Sequence, residues 1–386
     1  MNARTKLKFQ QLTLIVLLWV GFAVCMTLYD HLLINSMNTN GASSFYSFRY
    51  SLLSNCISAI IGGLTGGSFL VFVINEKYND KPFVVTVLTT TAVYLAVIAV
   101  IILAITGITF FRNLGTHIGV SDSLNVVGRF LTDDARVKNI VTWYFVVAVT
   151  QVIFQVSKRF GEGNLIRIMK GEYNVARHER KIFMFLDLDN STSLAEQLGD
   201  ERYHHMLRDF FADISDEIVN NQGRIYQYVG DEVVVEWDLR DTGPNDQCVK
   251  TFFDIKEKIA RQRDKYLNRY GMVPSFKAGL HYGRVVAGDV GTVKREITYS
   301  GDVLNTAARI MSMCSRLNTD LLVSSDLASL LGTTRYAVHT LGAFALKGKE
   351  KEITLQSYAP MAARGYRQWH DQFAQLEKSL VASSPS

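Results

Sequence analysis

Two aspartates stand where short β-rich runs give way to turns. Asp187 closes the run 181–187 (KIFMFLD), and Asp231 follows Gly230 between the runs 224–228 and 232–237. Carboxylates at close range repel unless a cation lies between them, and hard oxygen ligands of this kind suit Mg²⁺ or Mn²⁺. Two unrelated loop aspartates would show the same spacing, so the pairing depends on the elements that carry them. After Asp187 comes Leu188-Asp189-Asn190-Ser191-Thr192-Ser193. Small polar residues running into a helix N-terminus present N–H groups that can cradle phosphate, although an ordinary helix cap reads the same way. Farther on, Asn305 and Arg309 are four residues apart, hence on one helical face. An amide and a guanidinium aimed at one spot suit charge building on a phosphoryl group.

The elements around these residues follow from periodicity. The run 181–187 predicts a strand, and Leu207, Phe210, Phe211, Ile214 and Ile218 predict one apolar helix face. The runs 224–228 and 232–237 form a hairpin through Val229-Gly230-Asp231, since Gly tolerates the positive φ of a tight turn. A second helix fits 245–269, and Phe276, Ala278, Leu280 and Tyr282 alternate as a strand. The order β-α-β-β-α-β is that of an α+β, ferredoxin-like fold. The expectation is that the first and second strands are neighbours at the sheet centre, which would let Asp187 and Asp231 converge.

Taken together, these residues resemble the class III nucleotidyl cyclase catalytic domain over 181–360. Phe185-Leu186-Asp187-Leu188-Asp189-Asn190-Ser191-Thr192 looks like the family's F-x-D-x-x-x-x-T metal motif, and Gly230-Asp231 matches its second metal aspartate. Gly279-Leu280-His281-Tyr282-Gly283 with Val286-Ala287-Gly288 resembles its glycine-spaced stretch. Asn305-Thr306-Ala307-Ala308-Arg309 fits N-x-A-[AS]-R, and Leu346-Lys347-Gly348 fits the late L-K-G.

The resemblance implies an adenylyl cyclase acting on ATP as a homodimer, each site built across the interface. It implies two Mg²⁺ or Mn²⁺ ions per site, held by Asp187, Asp231 and the backbone carbonyl of Leu188. Asn305 of the other subunit would orient the ribose, Arg309 would stabilise developing charge, and Lys347 would meet the triphosphate, with Asn190, Ser191 and Thr192 also at the nucleotide. Thr298 stands where the family places a base-reading Asp or Thr, and Thr marks the subgroup similar to bicarbonate-responsive cyclases. One position departs: the adenine-reading Lys, four residues before the second aspartate, is here Gln227. An amide can donate to adenine or accept from guanine by flipping, so a guanylyl or dual-specificity cyclase remains the alternative. The guanylyl pattern would want an acid there and a small Cys-like residue in place of Thr298.

The rest of the chain is of another kind. The full chain of 386 residues is 48% hydrophobic and 20% charged, which excludes a disordered protein. The apolar excess lies mostly before residue 156. Four stretches, 9–29, 50–75, 82–111 and 139–157, lack Asp, Glu, Lys, Arg and His. Each is near or above the roughly 20 residues that cross a bilayer. The expected architecture is an all-α four-helix transmembrane domain (1–156), a linker (157–180), the catalytic domain (181–360) and a tail (361–386).

Arg4, Lys6 and Lys8, then Lys77 and Lys81, then Lys158 and Arg159 put the N-terminus and catalytic domain on the cytoplasmic side of a plasma (cytoplasmic) membrane. Arg112, Arg129, Arg136 and Lys138 disagree with that orientation. Gly62-Gly63-Leu64-Thr65-Gly66-Gly67 gives two overlapping G-x-x-x-G pairs, which fit either a dimer seam or close packing within one bundle.

Other classes fit less well. The charge of +5, from 41 Lys+Arg against 36 Asp+Glu, does not argue for a nucleic-acid partner. The four cysteines lack C-x-x-C spacing, so neither a zinc site nor a disulfide framework is expected. Charge-free spans count against a transporter. Gly230-Asp231-Glu232 shares part of the diguanylate cyclase turn, but Val229 and Val233 replace its outer residues. A degenerate cyclase serving as a membrane sensor would have lost an aspartate, Asn305 or Arg309, and all are present.

Overall fold

The computed structural model describes residues 3–36, 47–74, 84–85, 87–94, 96, 134–160, 167, 170–241, 245–293, 295–332 and 336–360. They fall into two compact units, Thr5–Leu165 and Ile166–Ser386.

The N-terminal unit contains α1 (Ala3–Ser36), α2 (Phe48–Phe69, continued by a π-helical turn Leu70–Ile74) and α3 (Asp134–Phe160). Lys8–Ser36 and Phe48–Val73 are long and apolar enough to cross a membrane, while the apolar helix Val141–Ser157 is shorter. Most of the expected span 82–111 lies outside the described residues. Leu14, Leu17, Leu18 and Leu28 of α1 are exposed while Ile15, Trp19 and Ala23 are buried, so one helix has an apolar inside and an apolar outside. Such an all-round apolar surface suits a lipid surrounding.

The glycines of α2 are taken up within the chain. A Cβ on Gly63 would meet the Val16 backbone at 3.3 Å, one on Gly67 would meet Leu12 at 2.9 Å, and one on Gly66 would meet Tyr94 at 2.5 Å. Lys138, one of the four basic residues at odds with the expected orientation, pairs with Asp30 at 2.6 Å.

The C-terminal unit is built on eight strands: β1 (Arg177–Leu188), β2 (Arg224–Val229), β3 (Glu232–Asp238), β4 (Phe276–Val290), β5 (Glu296–Ser300), β6 (Leu321–Ser324), β7 (Tyr336–Phe344) and β8 (Ile353–Pro360). The sheet order is β2-β3-β1-β4-β6-β8-β7, with β5 pairing to β4. Its first four strands give the expected ferredoxin-like order. One expectation is corrected, because β1 and β2 are not neighbours. β1 pairs with β3 and β4, and β3 stands between β1 and β2. A hairpin must pair its own strands, so β2 takes one edge of β3 and leaves the other for β1.

Alternation along β1 sends Ile182, Met184, Leu186 and Leu188 to one face, where they pack with Met206, Phe210, Ile214 and Ile218 of α5 (Asp200–Asn220) and with α6 (Gln247–Arg261). The helix expected over 245–269 is broken at Gln262, and α7 (Arg263–Tyr270) follows. Phe183 and Phe185 face the other way, against Tyr299 and against Val303, Ala307 and Met311 of α8 (Asp302–Arg316). Burying both faces makes the middle of the central strand, residues 182–186, apolar at every position. Cys248 is buried in the first of these layers, and Cys314 of α8 is buried in a further apolar cluster with Ile310, Leu317 and Leu322.

Two glycines of β4 set how closely α8 lies on the sheet. A Cβ on Gly279 would collide with the Met311 backbone nitrogen and meet the Ala307 carbonyl at 2.7 Å, and one on Gly283 would meet Val303 at 2.6 Å. The helix backbone therefore rests on bare strand backbone, which side chains of any other kind would prevent.

Candidate active site

Asp187 is the penultimate residue of β1, and Asp231 is the second residue of the turn between β2 and β3. Gly230 supplies the left-handed backbone (φ 64°) that a two-residue hairpin requires. The register Leu186↔Val233 then carries the turn to the end of β1, and the Asp187 side chain lies within hydrogen-bond reach of Asp231. Burial comes first, then the hydrogen bond and charge of Asp231, in pushing the Asp187 carboxyl up to about 6, against the pull of Lys277. Burial and the charges of Asp187 and Asp231 likewise push Glu232 up to about 7. Crowded, half-buried carboxylates of this kind are short of positive charge.

Lys277 supplies part of it. It stands opposite Asp187 in the β1–β4 ladder, with its Nζ 3.7 Å from Asp187 Oδ2 and 3.7 Å from Asp189 Oδ1. Among the described residues no group of three or more His, Cys, Asp or Glu is arranged to hold a metal. The two-aspartate pair nevertheless fits Mg²⁺ or Mn²⁺, which commonly bind one or two carboxylates and leave other positions to water and substrate phosphates. Leu188, whose backbone carbonyl is the third expected ligand, is the last residue of β1.

The stretch after β1 enters α4 (Ser191–Leu198) through Asn190, which adopts a left-handed backbone (φ 53°) and makes no side-chain cap bond. Burial, then the charge of Asp231 and to a lesser degree that of Asp187, raise the pKa of the Tyr203 hydroxyl on α5, which places it beside the carboxylates. Asn190 and Thr192 are exposed. The turn thus stands open beside the carboxylates.

A second set of polar groups gathers on α8. Asn305 is exposed, one turn before Arg309 on the same helix. The Arg309 guanidinium lies beside the loop after β7, where a Cβ on Gly348 would meet it at 3.4 Å. Lys347 is exposed next to Gly348, and Lys349 forms an ion pair with Asp302 at the start of α8. Arg309 and Lys347 are therefore neighbours, on one helix and the loop packed against it. Thr298 lies on β5 and exposed Gln227 on β2.

Residues 174–357 match the family model described as the adenylate and guanylate cyclase catalytic domain. This part of the chain is a class III cyclase domain. Adenylate cyclase 2 of Rhizobium meliloti (strain 1021) is 34% identical to it over 206 residues, 53% of this chain and 57% of that protein. Adenylate cyclase 1 of the same organism is 28% identical over 146 residues, 36% of this chain and 22% of that protein. The chain therefore spans about half or less of the length of these relatives. A solved bacterial light-regulated adenylyl cyclase aligns over 61% of this chain and 69% of that one, at 20% identity and a TM-score of 0.48.

Within the cyclase domain, the sequence pointed to Asp187 and Asp231 as one group, and the sheet brings them together. Gly348 packs beside the Arg309 guanidinium, which puts its chain neighbour Lys347 on the loop next to that side chain. Lys277 and Glu232 were not anticipated. Lys277 was legible in principle, because Phe276, Ala278 and Leu280 point inward and the residue between them must share the face of Asp187.

Proposed function

We propose that the chain is a membrane-anchored adenylyl cyclase, converting ATP to 3′,5′-cyclic AMP and pyrophosphate at sites shared between two copies. The observation that carries this reading is the convergence of Asp187 and Asp231 at one corner of a cyclase domain. The adenylate cyclase names of the two curated relatives support ATP as the substrate.

In this reading Asp187, Asp231 and the Leu188 carbonyl hold two divalent ions, Mg²⁺ or Mn²⁺. When bound there, such ions make a ribose hydroxyl easier to deprotonate and offset triphosphate charge. The ribose 3′-oxygen attacks the α-phosphorus in line, its proton is released, and the bond to the pyrophosphate oxygen breaks. Asn305 of the second copy orients the ribose, and its Arg309 faces the charge growing on the α-phosphoryl oxygens. Lys347 meets the triphosphate, and Lys277, already beside the carboxylates, is within reach of the same phosphates. The turn Asn190-Ser191-Thr192 lies alongside. Gln227 and Thr298 read the base. The exposed amide of Gln227 accepts guanine as readily as it donates to adenine, which makes a dual-specificity or guanylyl cyclase the second reading.

The N-terminal unit is proposed to be a four-helix membrane domain with the N-terminus and cyclase domain cytoplasmic, in the plasma membrane. The even number of spans and the need for cytoplasmic nucleotide support this side.

Product analysis of the full chain in membranes, with ATP or GTP and Mg²⁺ or Mn²⁺, tests the reaction. Cyclic AMP from ATP with little cyclic GMP from GTP is expected. Cyclic GMP as the main product would overturn the substrate and keep the mechanism, and silence with both nucleotides would favour a sensing module.

A further inference from the structure

Gln227 and Thr298 lie on strands that share no backbone ladder. β2 pairs with β3 and β5 with β4, so the path between them runs β2-β3-β1-β4-β5 across the sheet. That path is long, and a direct side-chain link can set their separation more closely. Tyr226, directly before Gln227, is the extra residue where the β2–β3 register shifts between Ile225 and Gln227. A bulge breaks the alternation of faces and re-aims a side chain. Here the Tyr226 ring centroid comes to 5.0 Å from that of Tyr299, the residue after Thr298. The Tyr299 backbone N–H donates to the Tyr226 hydroxyl at 3.4 Å. That N–H belongs to the peptide joining Thr298 to Tyr299, so the hydroxyl holds the backbone of the base-reading residue itself.

Tyr299 has a firm bed. Its ring meets Phe183 edge-on at 5.5 Å, and Lys181 Nζ lies 5.3 Å from its centroid. Lys181 is 1% exposed and sits among Asp238 at 2.6 Å, Glu179 at 3.1 Å and Glu236 at 3.4 Å. A buried cation among carboxylates resists displacement, because moving it strands unpaired charge. One end of the tyrosine pair is thus anchored in the sheet, and the other carries Gln227.

The chemistry of Gln227 makes this link matter. An amide that flips can satisfy either purine, so its own groups do not choose between them. The choice falls to geometry, namely which base edge can reach the Gln227 amide and the Thr298 hydroxyl at once. We infer that Tyr226 is a positioning residue for purine recognition, its ring and hydroxyl on Tyr299 setting the separation of Gln227 from Thr298. The inference rests on the reading of these two residues as the base-contacting pair.

The test uses the full chain in membranes, unaltered and as Tyr226→Phe and Tyr226→Leu. Initial rates with ATP and GTP are measured together with binding of fluorescent mant-ATP and mant-GTP. The Phe variant keeps the ring and loses the hydroxyl, so its thermal midpoint stays near that of the unaltered chain. The ATP-over-GTP ratio of kcat/KM is expected to fall about threefold in the Phe variant and about tenfold in the Leu variant, mainly through KM. An unchanged ratio in both variants, with KM and kcat moving alike for the two nucleotides, would overturn the positioning role and leave the cyclase reading intact. Failure of the unaltered chain to bind either mant nucleotide would overturn both.

Discussion

Two regions of the cyclase domain are chemically lopsided in opposite senses. At the end of β1 burial and the neighbouring Asp231 carboxylate raise the cost of ionising Asp187, and Glu232 adds to the excess of acid. On α8 and the loop packed against it stand Arg309, Lys347 and Lys349, with Asp302 paired to Lys349. The acidic region can hold cations, and Lys277 is the one cation that the ion pairs among the described residues put beside its aspartates. The basic region can meet a triphosphate but, among the described residues, has no cluster of carboxylates for metal. Each looks like half of a site, and a domain carrying both halves can complete two sites by pairing with a copy of itself.

The largest effect in this comparison is expected from emptying each half in turn. Asp187→Ala should lower turnover by about 10³-fold or more, and Arg309→Ala by about 10²–10³-fold, both with little change in thermal midpoint. Cyclase assays alongside melting curves check this. Activity near normal in either variant would remove that half from the site.

A smaller effect is expected from moving the basic half without touching its polar groups. Gly279→Ala forces a methyl between β4 and the α8 backbone, where the Ala307 carbonyl would lie 2.7 Å away. Overpacking of this kind costs about 1–3 kcal/mol. The thermal midpoint should fall, and activity should drop more than it does for Gly199→Ala, whose Cβ position is open although its backbone is left-handed. Equal activities in the two variants would show that the position of α8 is not what the glycine protects.

The smallest effect concerns pH on the basic side. His281 of β4 has its Nδ1 2.8 Å from Ser324 Oγ, which itself accepts the Leu327 N–H. That hydroxyl has its proton left for the imidazole, which suits a neutral ring. Burial, opposed by Asp326 and aided by Lys349, lowers the His281 pKa from its ordinary 6.5 to about 4. Between those values the unfolded chain takes up a proton that the folded chain refuses. Stability is therefore full above pH 6.5 and declines as the pH falls toward 4. Melting curves across that range should show the decline flattened in His281→Asn, and identical pH profiles for the two proteins would contradict it.

Much of this site was legible in the sequence because local rules bear on it. Asp231 sits in a turn that Gly230 announces, and Asn305 and Arg309 share a helix face by spacing alone. The expectation that Asp187 and Asp231 converge was right, but the route was not. They meet because β3, not β2, lies against β1, and strand order is a non-local property that a run of residues does not display. The same holds for Tyr226, whose bulge shows no mark in the sequence, and for Lys181, a lysine that only the fold turns into a buried cation. The glycines of α2 left two readings open. Contacts with Val16, Leu12 and Tyr94 show them packed inside one chain.

The central claim, one site built from two chains, is tested most directly by complementation. Full-length Asp187→Ala and Asn305→Ala chains, each inactive alone, are co-expressed with different tags, and dimers carrying both tags are isolated and assayed with ATP. In such a pair one site keeps Asp187 and Asp231 of one chain opposite Asn305 and Arg309 of the other, while the second site lacks both Asp187 and Asn305. The account predicts recovery of about half the activity of the unaltered dimer. Confirmed mixed dimers that remain as inactive as either variant alone would contradict it.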